Sequence, residues 1–385
     1  MKSSHWNLHE RLDEIRRQGL YRQLSPPKGV DFCSNDYLGL AQDPKFRSTV
    51  LDRLESAGPS PFSPTSSRLL RGNTSEHLNI EKRLAQFKGA EAALIFPTGY
   101  QANIGLLTAL LGPEDRVLSD AHNHASIIDG LRLSRCRKII FPHLNTRAVE
   151  EALQIPHPGR TFLVTESLFS MDGDIAPLTH YGELLQSHGA HLIVDDAHAT
   201  GLYGEERGSG LTEHFGIEKQ AVAMISTFGK ALGLFGAFVA GSRSLIEYLI
   251  NECRPFIFTT AVPHVLLLGI EAALDSVRNQ PERRQQVCRL ADRLRLQLSQ
   301  GGLDTLDSCG PIVPVLIGDN NRTVKVALRL QSDGFDVRAI RPPTVPPNTA
   351  RLRISVHADH TEDEIDQLAT ATVATTRQLV DELRD

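Results

Sequence analysis

Short apolar runs separated by longer amphipathic segments occupy the middle of the chain. Six of these runs are rich in β-branched or other apolar residues, and they span residues 117–119, 138–141, 161–165, 192–194, 223–226 and 237–240. Continuous apolar strands joined by crossovers long enough for helices are typical of a mostly parallel sheet that is covered on both faces. The pattern therefore predicts an α/β fold with a doubly wound, mostly parallel sheet.

The residues before this region have more varied patterns. Leu8, Leu12 and Ile15 recur at helical spacing among charged residues, which predicts a short amphipathic helix within the first twenty residues. Residues 31–40 are predicted to form an extended segment and a turn, and residues 58–67 a loop, because Pro and Ser dominate there. Helices are predicted at residues 76–87 and 99–111, with an apolar run at residues 92–96 between them.

The last third of the chain has shorter strands and predicts a smaller α+β domain. One long helical stretch is predicted over residues 263–299. It is followed by predicted strands at residues 312–317, 336–339 and 351–355 and by predicted helices at residues 322–332 and 362–384. We therefore expect an N-terminal arm over residues 1–46, a large domain over 47–275 and a small C-terminal domain over 276–385.

Charge and composition exclude several classes of partner. The 385 residues have a formal net charge of −5, so no basic excess is present to bind nucleic acid or an anionic membrane. No apolar stretch reaches the roughly 18 residues of a membrane span, and the N-terminal residues lack the apolar core of a secretory signal. The five cysteines form no C-x-x-C pair, so we expect reduced thiols in a cytoplasmic protein.

Polar residues follow several of the predicted strands. Asp195 and His198 follow the run at 192–194, Lys230 follows the run at 223–226, and Glu166 follows the run at 161–165. Ligands of open α/β sheets bind outside the carboxyl ends of the strands, so these side chains are expected to converge on one pocket.

Lys230 has two interpretations. A lysine just past a buried strand is poorly solvated, which lowers its pKa from about 10.4 and makes the neutral amine available as a nucleophile or base. A surface lysine that happens to follow a strand is the alternative.

Asp195 and His198 also leave several uses open. With His122 and His124 they could ligate a metal, although no helical metal-binding spacing supports this. They could instead present an acid and a hydrogen-bond donor to a heteroaromatic cofactor. A structural network at the strand end is the third possibility.

Two further places could bind anions. Thr98, Gly99 and Tyr100 open a predicted helix, where free backbone N–H groups and the helix dipole favour a phosphate, although an ordinary helix cap is the alternative. Arg351 and Arg353 face one side of a predicted strand, and a buried arginine there would suit a carboxylate, whereas a solvated strand face is the other interpretation. A strand-end lysine, an Asp-x-x-His pair and a phosphate-binding helix start together match the requirements of pyridoxal phosphate (PLP).

Over nearly its whole length the sequence resembles the fold-type I PLP enzymes, and among them the α-oxoamine synthases. The segments that carry the resemblance are residues 34–40, 123–126, 169–174, 194–198 and 227–230. Residues 256–260 and 338–346 resemble one member in particular, which condenses L-alanine with a pimeloyl thioester carried on coenzyme A or an acyl carrier protein. The resemblance implies a large PLP-binding domain, a small α+β domain and no catalytic metal.

The resemblance also implies roles for individual residues. Lys230 would hold the cofactor covalently, Asp195 would pair with the pyridine nitrogen, His198 would bond the ring hydroxyl and His124 would stack on the ring. The other implied cofactor contacts are Gly99, Tyr100, Ser170 and Thr227, together with Thr259 and Thr260, which would reach the phosphate bound by a second subunit and so imply a homodimer with shared sites. The implied substrate contacts are Arg22, Asn35, His124, Thr344 and Arg353, with Asn35 and Arg353 expected at the amino-acid carboxylate.

Other interpretations remain open within this resemblance. Residues 58–68 are proline-rich where related sequences have a run of glycines, so this loop is expected to be stiffer, which leaves the acyl chain and its carrier open. A family member that uses glycine or a longer acyl chain is the nearest alternative. A non-catalytic subunit with the same fold is another, but such a subunit has no use for Lys230.

Overall fold

The computed structural model describes residues 7–58 and 63–381, which form two compact units. The large unit contains Asn35–Ser170 and Asp174–Val287. The small unit contains the described residues up to Ser34, the short segment Met171–Gly173 and the described residues from Cys288 onward. Residues 1–6, 59–62 and 382–385 lie outside the described residues, and with them parts of the predicted N-terminal helix, proline-rich loop and C-terminal helix.

Helices and strands alternate through most of the chain. The strands β1 to β12 are Val30–Asp31, Ala92–Phe96, Arg116–Asp120, Arg137–Phe141, Thr161–Glu166, His191–Asp195, Ala221–Thr227, Ala237–Gly241, Ile312–Gly318, Phe335–Asp336, Arg338–Ile340 and Ala350–Ser355. The helices α1 to α14 are Leu8–Arg17, Pro44–Ser56, Ser75–Lys88, Gly99–Leu110, Ala125–Ser134, Thr146–Gln154, Leu178–Ser187, Leu211–His214, Arg243–Glu252, Arg254–Ile257, His264–Asn279, Pro281–Gln300, Asn320–Ser332 and Glu362–Asp381. A π-helical turn, Arg68–Gly72, precedes α3.

The large unit is built on a seven-stranded sheet in the order β2-β8-β7-β6-β5-β3-β4. Strands β3 to β7 run parallel to one another, whereas β8 runs antiparallel to both β7 and β2. The predicted mostly parallel sheet and α/β class are confirmed. All six predicted runs, together with the run at 92–96, lie in this sheet.

Both faces of this sheet are buried. Val164, Ile193 and Ile225 pack on one face with side chains of α4, α5 and α9. The residues that alternate with them, such as Leu163 and Leu192, are also nearly fully buried and therefore face the other side. This two-sided burial explains why the strands are apolar at consecutive positions instead of at every second one.

Two local predictions are wrong in detail, and one helix has no counterpart in the predictions. The helical stretch predicted over residues 263–299 is two helices, α11 and α12, because Pro281 lacks an N–H group and its ring excludes the preceding turn. The strand predicted over residues 336–339 is two short strands, β10 and β11, in separate sheets. The helix α2 was not predicted, although Asp43 caps it and Pro44 begins it.

The small unit holds two small sheets. Strands β11, β12 and β9 form an antiparallel sheet on which α13 packs, and α14 packs on α13. Strand β1 pairs in parallel with β10, which ties the chain before Ser34 to this unit. The domain divisions expected after residues 46 and 275 remain predictions, and the compact units divide after Ser34 and Val287. Among the described residues, no helix combines the length and apolarity that crossing a membrane requires.

A buried ion pair joins the end of α3 to the end of β6. The side chains of Lys88 and Asp196 are both fully buried, and Lys88 Nζ lies 2.7 Å from Asp196 Oδ2. Lys88 Nζ also donates to the carbonyl of Ser209 at 2.7 Å, while Thr212 Oγ1 donates to Asp196 at 2.9 Å. Burial alone would raise the pKa of Asp196, but the Lys88 cation and these hydrogen bonds hold it below its usual range.

We predict that Lys88→Met strongly destabilises the large unit, because it leaves the Asp196 carboxylate buried without a counter-charge. The expected fall in the free energy of unfolding is about 3–5 kcal/mol, measured by urea denaturation followed by circular dichroism. The double variant with Asp196→Asn removes both charges and should recover part of the loss. Arg147→Met, which breaks the exposed pair with Glu151, is the control and should change stability little. A similar small change for Lys88→Met would contradict the prediction.

Candidate active site

A cavity of about 200 Å³ lies at the carboxyl ends of the central strands of the large unit. The four strand-end side chains predicted to converge, those of Glu166, Asp195, His198 and Lys230, all line it. The other predicted residues in the lining are Gly99, Tyr100, His124 and Thr227. Asn103, Ser126, Ala197, Ile225 and Ser226 complete the lining.

Asp195 ends β6 and is held by two N–H donors. Its Oδ1 accepts the backbone N–H of Ala197 at 3.0 Å, and its Oδ2 accepts Nδ2 of Asn103 at 2.6 Å. Both bonds stabilise the ionised carboxylate, and Asp195 is only 6% exposed. The cavity therefore has an oriented anion on its inner surface.

Lys230 stands in the loop, residues 228–236, that joins β7 to β8. The Thr227 hydroxyl accepts the N–H of Gly229 at 3.1 Å and donates to the carbonyl of Gly236 at 2.9 Å. The carbonyl of Lys230 accepts the N–H of Gly233, whose φ of +64° requires glycine. These bonds fix the backbone of the loop and hold the half-buried Lys230 side chain at the cavity.

His198 is connected to the predicted substrate residue Asn35 through one fully buried tyrosine. The hydroxyl of Tyr37 lies 2.7 Å from Nδ1 of His198 and donates to Oδ1 of Asn35 at 3.1 Å. Tyr37 is 0% exposed and cannot easily turn away. The hydrogen bond to Tyr37 engages one ring nitrogen of His198 and so fixes the orientation of its ring in the cavity.

His124 caps the start of α5. Its Nδ1 lies 2.7 Å from the hydroxyl of Ser126, which in turn accepts Nδ2 of Asn103 at 2.9 Å. Burial lowers the pKa of His124, and Asp195 offsets only part of that effect, so the ring is neutral near pH 7. A neutral imidazole that lines the cavity is suited to stack on an aromatic ring.

The start of α4 forms another side of the cavity. Thr98 caps the N–H of Gln101, so the first N–H groups of the helix, at Gly99 and Tyr100, have no partner within the helix. A Cβ atom on Gly99 would meet only Thr227, at 3.9 Å. Packing therefore does not require a glycine at position 99. Because Gly99 has no side chain, an anion can approach the N-terminus of α4, where the helix dipole is positive. The Tyr100 hydroxyl donates to Asp129.

Glu166 is the second acid in the cavity, and its surroundings differ from those of Asp195. Its Oε2 accepts the N–H of Ser170 at 3.2 Å, which is how the predicted residue Ser170 is connected to the site. Burial and, to a smaller extent, the Asp195 charge raise the pKa of Glu166 to about 8. Glu166 is therefore a neutral acid at pH 7.

A charged histidine holds the segment that follows Ser170. His143 lies 2.8 Å from both Asp120 and Asp174, one carboxylate at each ring nitrogen. Burial alone would lower its pKa, but these two hydrogen-bonded carboxylates raise the pKa of His143 to about 10. The imidazolium thus anchors the turn predicted after the strand β5.

Several predicted site residues lie outside this cavity. In the large unit, Asn35, Ser170, Thr259 and Thr260 are absent from its lining. In the small unit, Arg22 and Thr344 share a separate cavity of about 100 Å³. Also in the small unit, Arg351 pairs with Asp172 at 2.5 Å and the buried Arg353 donates to the Ser355 hydroxyl at 2.8 Å, so this strand face is not solvated.

Sequence reasoning missed Asn103, which bonds the carboxylate of Asp195. The available signal is its spacing: Asn103 stands four residues after Gly99 on α4 and therefore faces the same side of the helix. A polar residue among Ala102, Gly105 and Leu106 on a buried helix also requires a partner.

The polar groups of the cavity fit PLP. An amine, a carboxylate, two imidazoles and a helix N-terminus match its aldehyde, ring nitrogen, ring hydroxyl and phosphate. Two residues that line the cavity each have a buried atom, Asn103 Oδ1 and Glu166 Oε1, with no hydrogen-bond partner among the described residues. Such atoms are costly unless a polar ligand or water satisfies them.

Comparison with known proteins agrees with this fit. The family described as aminotransferase class I and II matches residues 27–371. The 8-amino-7-oxononanoate synthase of Trichlorobacter lovleyi is 42% identical over 387 aligned positions, which cover 97% of this chain and 98% of that protein.

Solved structures also resemble the chain. A serine palmitoyltransferase from S. paucimobilis with bound PLP and myriocin has a TM-score of 0.88 at 28% identity, covering 97% of each chain. The 8-amino-7-oxononanoate synthase of Francisella tularensis has a TM-score of 0.78 at 25% identity, covering 91% of this chain and 98% of that one. With its mostly parallel sheet and this match over most of its length, the chain belongs to the aminotransferase class I and II family.

Proposed function

We propose that the protein is an 8-amino-7-oxononanoate synthase, a PLP-dependent acyltransferase of biotin biosynthesis. It condenses L-alanine with a pimeloyl thioester and releases carbon dioxide and a thiol. The observation that carries the proposal is the convergence of Lys230, Asp195 and the start of α4 on one cavity, in a chain 42% identical to a protein of that name. PLP is the cofactor.

The cofactor and the protein contribute different parts of the chemistry. When bound, PLP supplies a protonated ring that accepts the electrons left at the α-carbon of an amino acid. Asp195, which accepts hydrogen bonds from Asn103 and Ala197, would hold the proton on the ring nitrogen. His198, fixed by Tyr37, would bond the ring hydroxyl, and His124 would stack on the ring.

Lys230 moves the proton of the reaction. Its amine would hold the cofactor covalently before the substrate binds and would become free once the amino group of alanine takes its place. The free amine would remove the α-proton of alanine. A new bond would form between the α-carbon and the thioester carbonyl carbon, the carbon–sulfur bond would break, and the sulfur would take up a proton and leave as the thiol. The alanine carboxyl group would depart as carbon dioxide, and the α-carbon would take up a second proton. Lys230 would supply one of these two protons and solvent the other.

Substrate recognition is assigned to the residues that the family resemblance indicates. Arg353 provides a planar, permanently charged guanidinium for the alanine carboxylate, and Asn35, held by Tyr37, provides an amide. Arg22 and Thr344, which share a small polar cavity, are assigned to the acyl substrate.

A homodimer is part of the proposal. Leu70, in the π-helical turn, is 83% exposed, and Phe258, just after α10, is 71% exposed. These two segments are neighbours, since the N–H of Ala261 donates to the carbonyl of Ser66 at 3.1 Å. Exposed apolar side chains clustered in this way favour burial against another protein surface, and a second copy of the chain would bring Thr259 and Thr260 to its partner's phosphate site.

A cytoplasmic location is also proposed. The five cysteines are all free thiols, and three of them are only partly buried, as expected in a reducing compartment.

We predict that the purified protein, incubated with L-alanine and pimeloyl-coenzyme A, yields a product with the mass of 8-amino-7-oxononanoate. The same incubation with pimeloyl-loaded acyl carrier protein identifies the preferred carrier. Lys230→Ala, which lacks the amine, should yield no product. A serine palmitoyltransferase is the alternative favoured by the structural similarity, so L-serine with palmitoyl-coenzyme A is tested in parallel. Product formed only from that second pair would contradict the proposal.

We predict that Asp195→Asn slows the exchange of the α-proton of alanine by at least about a hundredfold, or roughly 2.7 kcal/mol of transition-state stabilisation. A neutral amide cannot hold the proton on the ring nitrogen. The fold should be retained, because the Asn103 amide can rotate and present Oδ1 to the new amide. Proton exchange is followed by NMR in deuterated water, and near-normal exchange would assign Asp195 another role.

We predict that sedimentation finds a dimer and that Leu70→Glu weakens it by at least about tenfold, because a charge at a dry interface costs more than 1.4 kcal/mol. The matched control is Leu328→Glu, on α13, where an exposed leucine lies far along the chain from the proposed interface. An active monomer in the wild-type protein would contradict the homodimer.

A further inference from the structure

Glu166 is a buried acid to which the chemistry above gives no role. It ends β5 and is paired in register with Asp195, at the end of β6. Glu166 is 3% exposed, and its Oε1 atom has no hydrogen-bond partner among the described residues. The cavity thus contains two carboxyl groups on adjacent strand ends, which in a sheet are roughly 5 Å apart.

Two carboxylates this close cannot both be ionised at low cost, so hydrogen bonds decide which one keeps a proton. Asp195 has a donor on each oxygen, at 2.6 and 3.0 Å. Glu166 accepts the N–H of Ser170 at 3.2 Å and is also stabilised by the N–H of His124, but its Oε1 atom has no partner among the described residues. Both oxygens of Asp195 are therefore satisfied, whereas Glu166 has one oxygen that is not, so Glu166 is the acid that holds a proton.

We propose that Glu166 is a positioning residue that works as a neutral carboxylic acid and so keeps Asp195 the sole anion among the described residues that line the cavity. This inference rests on the proposed function only for the identity of the ligand that Asp195 faces. The protonation states themselves follow from the protein alone.

The neighbouring titratable groups support this assignment. Those that line the same cavity are Asp195 after β6, His198 in the following turn, Lys230 after β7, His124 at α5 and Tyr100 at α4. Burial and Asp195 raise the pKa of Glu166, and the Lys230 cation together with the backbone N–H groups of Ser170 and His124 offsets only part of this. The resulting pKa of about 8 keeps Glu166 neutral at pH 7.

A neutral Glu166 has a clear use in the reaction. Negative charge develops at the α-carbon when Lys230 removes the proton, and one carboxylate at the ring nitrogen assists this by holding a proton there. A second carboxylate on the adjacent strand would repel the developing charge in a site of low dielectric constant. The proton on Glu166 removes that repulsion while preserving a polar side chain in the cavity.

The first test uses the protein without cofactor. Infrared difference spectra between wild type and Glu166→Gln should show a carboxylic acid band in the wild type at pH 7, and the band should disappear in a transition near pH 8. Glu183→Gln, which replaces an exposed glutamate on α7, is the control and should leave the band in place. A wild-type protein without this band at pH 7 would overturn the proposal.

Thermal stability gives a second readout without cofactor. Because the pKa of Glu166 is about 8 in the folded protein and about 4.5 in the unfolded chain, the folded state binds more protons between these pH values. The contribution of Glu166 to stability is therefore present at low pH and is lost as pH rises from about 4.5 to 8. Glu166→Gln removes this dependence, so its Tm should rise relative to wild type as pH increases through this window. A constant difference in Tm would contradict the proposal.

Experiments on the enzyme with bound PLP distinguish a failure of this inference from a failure of the proposed function. Glu166→Gln should keep α-proton exchange of alanine at pH 7 within about threefold of wild type, since an amide is also neutral. A hundredfold loss would show that Glu166 acts as an anion. Asp195→Asn should lower the pH of the infrared transition, because it removes the neighbouring charge. If the infrared and Tm results hold but alanine is not a substrate, the proposed function fails and the protonation of Glu166 stands.

Discussion

The geometry of the cavity depends on the buried charge of Lys88. Its partner Asp196 also accepts hydrogen bonds from Ser167 and Thr212, so one carboxylate connects the ends of β5 and β6 with α3 and α8. Asp195 and Asp196 are adjacent in sequence, and because side chains alternate along a strand they face opposite sides. One carboxylate is held inside the protein and the other faces the cavity. Any rotation of the strand end that would misplace Asp195 would also pull Asp196 away from Lys88.

Much of the fold was predictable because it depends on local pattern. The apolar runs of the large sheet were located within a few residues, and the strand-end positions of Asp195, His198 and Lys230 indicated where they meet. Pro281 itself indicates the break between α11 and α12. The apolar periodicity continues on both sides of it, however, and predicts one long helix.

What could not be predicted depends on contacts between distant residues. Lys88 and Asp196 are 108 positions apart, and Asn103 and Asp195 are 92 apart. Nothing in either local sequence specifies the partner, because register and packing are decided by the folded sheet. The protonation of Glu166 was equally hidden, since it depends on burial and on the neighbouring strand. The roles of Thr259, Thr260, Arg22 and Arg353 came from family resemblance and remain predictions.

The antiparallel strand β8 lies between the two strands whose ends meet at the cavity. Phe96, Ala237 and Thr227 lie side by side across β2, β8 and β7. The start of α4 nevertheless reaches the end of β7, because a Cβ atom on Gly99 would lie 3.9 Å from Thr227. The chain after β2 therefore passes over the end of β8, and Asp195 on the neighbouring β6 completes the group. A single small molecule can thus contact the helix start, the lysine loop and the carboxylate at once.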